Sequence, residues 1–334
     1  MKILGLFIVI TMSSLSIQAQ VSTDGTLGAR LNLLGPDYQI NADLGQQYGG
    51  NLFHSFQDFN LQNHESAHFS GPNTVQNIIS RVTGGNPSKI DGLIRSSILG
   101  ADMYFINPAG LMFGPDAKLD VQGSFHASTA DYLRLGKEGR FDANRPDNSL
   151  LNVAPVEAFG FLDHQVAPIS VEGRGEIAST DRAHLSTGLS VPSGNTLSLI
   201  GGPLEIKKGS FFKNVIADDE GKQSIGITRL PMLSAPNGRI NLASVASPGE
   251  LSLQDDFIDV SSFTQLADIH LLEKSLLQTS GEGGGSLFIR GEQFWADDST
   301  IEAKTLGDKK GGVIDIRAHN VSLTHGATLN GSTE

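Results

Sequence analysis

Along much of its length the chain alternates aliphatic and polar residues over short stretches and then breaks at a glycine. Lys118-Leu119-Asp120-Val121-Gln122, Asn195-Thr196-Leu197-Ser198-Leu199-Ile200 and Arg239-Ile240-Asn241-Leu242-Ala243 each place their aliphatic side chains on one face of an extended strand. The 39 glycines are dispersed between such runs instead of gathered in linkers. That spacing predicts many short strands joined by tight turns. Helical periodicity is scarce. Residues 73–81 and 266–277 can each be read as a short helix, but neither carries a convincing cap and stop.

Near the C-terminus the pattern repeats itself. Gly284-Gly285-Ser286-Leu287-Phe288-Ile289-Arg290 is echoed by Gly311-Gly312-Val313-Ile314-Asp315-Ile316-Arg317 at an offset of 27, and Asp298-Ser299-Thr300-Ile301 by Gly326-Ala327-Thr328-Leu329 at an offset of 28. A period in this range belongs to a solenoid. Short β-type runs punctuated by glycine leave no space for a pair of helices, so the coil is predicted to be a β-helix. Leu287 and Ile289 then stack on Ile314 and Ile316 at about 4.8 Å, while Arg290 and Arg317 point outward. Residues 21–70, dense in Asn, Gln, Gly and His, do not match the coils behind them and are expected to cap the N-terminal end. The final residues, Ala327 to Glu334, stop within a repeat unit without the polar cover a terminal coil needs, so the natural chain is expected to continue.

The opening residues change the picture from a solenoid to an exported solenoid. Met1-Lys2 is followed by an apolar run from Ile3 to Met12 and then by small and polar residues up to Ala19-Gln20. A basic start, an apolar core too short to span a bilayer and a small residue at the cut predict a signal peptide over residues 1–19. No other apolar stretch approaches membrane length. The formal charge is −12, one unit more negative without Lys2, and the acidic residues are scattered. Such a surface repels nucleic acid and anionic lipid and otherwise serves solubility. There is no cysteine, so packing alone must hold the mature chain.

The most informative segment covers residues 80–129. It contains Asn86-Pro87 in Arg81-Val82-Thr83-Gly84-Gly85-Asn86-Pro87, then Ile106-Asn107-Pro108-Ala109-Gly110 between two apolar runs, then Lys118 to Thr129. Asn opens a β-turn through its own side chain, Pro fixes φ at the next position and Gly accepts the left-handed end. These residues resemble the secretion domain of the two-partner family, also called the haemagglutination activity domain, of the filamentous haemagglutinin type. That family carries an Asn-Pro-Asn-Gly turn after an apolar strand, and Ala109 departs from it at the third position. Asn51 to Phe56, Gly71-Pro72 and Ala235 to Ile240 extend the resemblance, which covers about residues 20–250, with further coils over 251–334.

The resemblance implies an all-β fold, a right-handed parallel β-helix with an N-terminal β cap. It also implies export through the periplasm by the general secretion machinery. There an outer-membrane β-barrel transporter with POTRA domains reads the domain, with Asn86, Pro87 and Asn107 to Gly110 as the candidate turn motifs. The chain then crosses unfolded and folds outside, for which the absence of disulfides is suited. The expected end point is the cell surface or the medium, with adhesion to a host-cell or matrix ligand as the typical role.

Enzyme readings are weaker. His64-Glu65-Ser66-Ala67-His68 has the letters of the zinc-protease pattern, which works only on a helix, and Gly71-Pro72 closes the segment at once. On a strand the two rings would stand about 13 Å apart. Gly173-Arg174-Gly175-Glu176-Ile177-Ala178 resembles a dinucleotide loop without the helix that must follow, and is read as a turn. Asp218-Asp219, Asp255-Asp256 and Asp297-Asp298 lack calcium-loop spacing and are read as solvated loop tips. The triplets at Asn320 and Asn330 carry no meaning in bacterial export. No cofactor or metal site is expected, and the chain is read as a non-enzyme. Its rivals are a polysaccharide lyase, which shares the β-helix but needs acids clustered with a base on one face, and a biofilm scaffold.

Overall fold

A computed structural model describes residues 20–178, 188–217, 223–253 and 257–333. The expected signal peptide, residues 1–19, and the doublets Asp218-Asp219 and Asp255-Asp256 lie outside the described residues.

Short alternating runs become strands that pair only with their counterparts one coil above and below. The first face stacks Asn51–Phe59, Asn77–Val82, Asp102–Ile106, Phe125–Ser128, Thr196–Gly201, Arg239–Ser244 and the first part of Ser286–Asp297, all parallel. A second face runs through Ser88–Ile90, Leu111–Phe113, Ile169–Glu172, Leu204–Lys207 and Ile269–Leu271 to the latter part of Ser286–Asp297. The third face includes Asp37–Asn41, Ser66–Ser70, Leu93–Ser96 and Lys118–Asp120, and resumes from Leu189–Ser190 to Thr328–Asn330. This is a parallel β-helix, turning in the right-handed sense that parallel crossovers take.

Register on the first face sorts alternate side chains into columns. Leu52, Ile78, Met103, Phe125, Leu197, Ile240 and Leu287 form one inward column, fully buried, at successive paired positions. Each such side chain contributes about 1.5–3 kcal/mol by leaving water. The outward columns are covered too, over part of the length. An antiparallel sheet of Tyr132–Leu135, Gly139–Asp142, Val156–Phe161, Gly249–Leu253 and Ile258–Asp259 lies against the outside of the first face. It encloses a second apolar cluster that joins Phe53, Ile79, Ile106, Ile200 and Phe288 to Leu133, Phe141, Phe159 and Leu251.

Several expectations need correction. Residues 73–81 and 266–277 hold the strands Asn77–Val82, Ile269–Leu271 and Leu276–Gln278 and no helix. The N-terminal cap is smaller than the composition suggested, because Asp37–Asn41 and Asn51–Phe59 already pair as coil strands. Val21–Thr23 and Gln46–Tyr48, both antiparallel to Asn51–Phe59, form the cap proper. Leu287 pairs with Ile314 and Ile289 with Ile316 as expected. Arg290, however, points away from the coil lumen without reaching water: it is 2% exposed and its Nη2 donates to Asp315 Oδ2 at 2.9 Å. Asp297 and Asp298 are not solvated tips either. Asp298 accepts from Arg229 at 2.6 Å and pairs with Lys274, and Asp297 pairs with His325 at 2.5 Å.

At the far end, Val321 and Leu323 sit over the buried Phe294 and Ala296 and are themselves 51% and 44% exposed.

Candidate functional site

The corner between the first and second faces is built from two Asn-Pro turns lying one above the other. Asn107 ends the strand Asp102–Ile106 and is fully buried. Its Oδ1 accepts the Ala109 amide at 2.9 Å, which is the side-chain turn expected of Asn before Pro. Its Nδ2 donates to the Asn86 carbonyl and to Ser88 Oγ, both at 3.0 Å, so the upper turn is tied to the lower one. Gly110 closes the turn, its amide donating to the Asn107 carbonyl at 3.0 Å with φ +123°, a conformation that favours glycine. Its carbonyl accepts the Ser88 amide at 3.0 Å.

Asn86 and Pro87 are exposed at the rim, and Pro108 and Ala109 are half-buried. The six candidate residues are therefore one corner, in which Asn107 and Gly110 are buried and the Asn107 side chain organises the turns. Replacing the family's second Asn by Ala109 leaves the turn's hydrogen bonds in place, since the position supplies only its backbone amide. Beside Pro108 and Ala109 lies a cleft of about 220 Å³, lined also by Thr129, Asp131, Asn144 and Asp163. Burial pushes the Asp131 carboxyl up, against the Leu162 amide and Asn144 Nδ2 that bind it.

Beneath the corner sits Arg81, 1% exposed, a residue that sequence reasoning quoted only as part of a motif. Its Nε donates to Ser55 Oγ at 2.7 Å, its Nη1 to the Asp142 carbonyl at 2.5 Å and to Ser149 Oγ at 2.6 Å, and its Nη2 to Thr26 Oγ1 at 2.9 Å. The guanidinium also lies 4.3 Å from the Phe141 ring centroid. One side chain thus pins the cap, two coils and the outer sheet together. Burial draws its pKa down to about 10, with Asp24, Asp142 and Asp147 opposing. Nearby Gly84 has no room for a side chain, since a Cβ there would come 2.0 Å from the Gln57 carbonyl oxygen.

The residues of the zinc-protease pattern lie elsewhere. His64 occupies a turn with φ +70°, and His68 is on the strand Ser66–Ser70, so no helix face brings them together. Glu65 is engaged by Tyr38 Oη at 3.0 Å and by the Gln62 amide at 2.7 Å. Among the described residues no group of three or more His, Asp or Glu side chains is arranged to hold a metal ion. Gly173 and Arg174 follow the strand Ile169–Glu172 in an irregular connection, where Arg174 pairs with Asp116.

A family model for the TPS secretion domain matches residues 19–289. The chain belongs to that family, the N-terminal domains of two-partner secretion exoproteins, which are exported and have a cognate outer-membrane transporter. Over 144 residues, 40% of this chain, it is 23% identical to a heme/hemopexin-binding protein of Haemophilus influenzae; the matched segment is 16% of that relative's length. The crystal structure of the HMW1 secretion domain from Haemophilus influenzae aligns over 95% of this chain and 97% of its own, at 15% identity and a TM-score of 0.31. Among the described residues no helix is long and apolar enough to cross a membrane.

Proposed function

We propose that this chain is the N-terminal part of a surface adhesin, and that the POTRA domains of its transporter read the two Asn-Pro segments while the chain is still extended. The burial of Asn107 carries this reading. A side chain with its three hydrogen bonds satisfied inside the folded corner offers a partner nothing in that state. In the extended chain Asn107 to Gly110 is free, and closing the corner withdraws it. Folding thus hides the Asn107 side chain while Asn86 and Pro87 stay at the rim, so only the extended chain presents both segments whole. Residues 20–250 act as the recognised and folding unit and 251–334 as coils added to it.

The test uses residues whose loss spares the fold. Asn86 and Pro87 are exposed, and Ala at either keeps the carbonyl that Asn107 needs; loss of the exposed Asn86–Asp58 bond and of the Pro87 ring should each change stability by about 1 kcal/mol or less. In cells that make the transporter, Asn86→Ala with Pro87→Ala is expected to leave the chain in the periplasm. Undiminished release into the medium would show that the transporter reads another segment.

A further inference from the structure

A second and larger cleft, about 470 Å³, lies where the outer sheet bridges the first face without touching it everywhere. That volume is within the range of small-molecule sites. Its floor is made by two neighbouring outward columns of the coil. One contains Tyr104, His126 and Asn241, and the other Asp102, Ser124, Thr196 and Arg239. The roof comes from Glu157, Phe159 and Ser252 among others.

A relay of hydrogen bonds fixes which polar atoms are left for a ligand. Arg239 Nε donates to Asn241 Oδ1 at 2.6 Å, so the Asn241 amide must turn its Nδ2 to Ser198 Oγ, 3.1 Å away. The buried Ser198 hydroxyl needs an acceptor for its own proton, and His126 Nδ1, 2.9 Å away, takes that role in the Nε2–H tautomer. His126 then carries its proton on Nε2, and burial keeps the ring neutral with a pKa of about 4. Its ring stacks on Tyr104, centroids 4.6 Å apart and planes at 17°, which holds both rings rigidly side by side. Asp102 Oδ1 accepts the Ser124 amide at 2.7 Å, leaving its other oxygen as an acceptor. The cleft therefore offers a neutral imidazole N–H, a phenol, a carboxylate oxygen and the hydroxyls of Thr196 and Ser252.

Donors and acceptors interleaved in this way match vicinal hydroxyl groups. The two cations are already engaged and do not favour an anion: Arg134 is held by Glu157 at 2.5 Å and Glu250 at 2.9 Å, Arg239 donates to Asn241 and lies 4.2 Å from the Phe288 ring centroid, and Asp102 and Glu157 line the same space. We propose that this cleft binds a neutral pyranose sugar, alone or as one unit of a glycan, with Tyr104, His126 and Asp102 contacting its hydroxyls.

Calorimetric titration of the secreted chain tests this with the methyl glycosides of galactose, glucose and N-acetylglucosamine, with lactose and chitobiose, and with N-acetylneuraminic acid as the anionic comparison. Saturable binding of at least one neutral glycoside, around 1 mM or tighter, is expected. Tyr104→Phe, which removes one hydroxyl and keeps the stacked ring, should weaken it about tenfold. Ser252→Trp, which fills the cleft from the roof, should abolish it. Tighter binding of a disaccharide than of its methyl glycoside assigns the site to a glycan, and equal binding assigns it to the free sugar. Absence of binding by every neutral sugar, binding of N-acetylneuraminic acid alone, or binding unchanged in both variants would each overturn the proposal.

Discussion

His54 is a buried imidazole with nothing to bind. It lies on Asn51–Phe59 between Leu52 and Phe56, so alternation turns it into the coil lumen. There it packs beside Phe69 at 5.6 Å and neither ring nitrogen has a hydrogen-bond partner. Burial lowers its pKa to about 4 from 6.5. For a base whose folded pKa is depressed, the folded chain binds fewer protons than the unfolded chain. Stability is therefore complete above about pH 6.5 and is lost as pH falls towards 4. The full loss is roughly 3 kcal/mol, with a limiting slope of about 1.4 kcal/mol per pH unit. His126, also held near 4 by burial, loses stability over the same window. His54→Leu should remove about half of this two-histidine loss. At pH 7 it should also stabilise the chain by about 1 kcal/mol or more, because an unpaired polar ring is replaced by an apolar one. Urea unfolding of both proteins from pH 7.5 to 4, with hydrogen exchange of the peptide spanning Asn51–Phe59, measures the difference. An identical pH slope in the two proteins, or a variant less stable at pH 7, would refute the assignment of a neutral unpartnered ring.

Other substitutions probe the corner and its supports. Arg81→Ala removes four hydrogen bonds and the cation over Phe141 from a buried place, although Asp24 still holds the Ser55 and Thr26 hydroxyls and the Asp142 amide still holds Ser149; a loss of about 2–4 kcal/mol is expected, read by thermal unfolding and by early proteolysis near Ser149. Asn107→Ala removes the bonds to Asn86, Ser88 and Ala109 in a buried place, and urea unfolding should show a loss of about 2–4 kcal/mol. Gly84→Ala, forced against the Gln57 carbonyl, should lower stability by about 1–3 kcal/mol in the same assay. Asp298→Asn breaks partly exposed pairs with Arg229 and Lys274, and a loss of about 1 kcal/mol or less that shrinks in high salt is expected.

The coil was legible where the chain makes its turns without detours. Residues Ser286 and Val313 are 27 apart, and Asn51 and Asn77 are 26 apart, on adjacent coils. Between them the interval stretches to 72 from His126 to Ser198 and 43 from Ser198 to Asn241, although those residues are neighbours on one face. The first of these detours contains the first three strands of the outer sheet, and no fixed period survives it. The same sheet explains the misplacement of Arg290. Strand alternation correctly turns it out of the lumen, but nothing local in Leu287 to Arg290 signals that its neighbour Phe288 belongs to a second apolar cluster. Turn chemistry at Asn107 to Gly110 was readable because it is local. Arg81 and the cleft around His126 were not, since their partners come from residues 26, 142, 149, 198 and 241. His54 had a usable signal in the Leu52, His54, Phe56 alternation, because a histidine on an apolar stripe is placed inside.

The outer sheet also sets a clock on assembly. Its strands Tyr132–Leu135 and Val156–Phe161 wait for Gly249–Leu253, which lies nearly a hundred residues downstream and pairs with Val156–Phe161 at three positions. For a chain delivered from its N-terminus, coils can close one by one while Phe159 and Phe161 stay uncovered on the flank. Arrival of Leu251 then shuts that flank in a single step. From that moment the coils from Asn51–Phe59 to Arg239–Ser244 lie under a closed clasp, and unwinding them also requires peeling Gly249–Leu253 from Val156–Phe161.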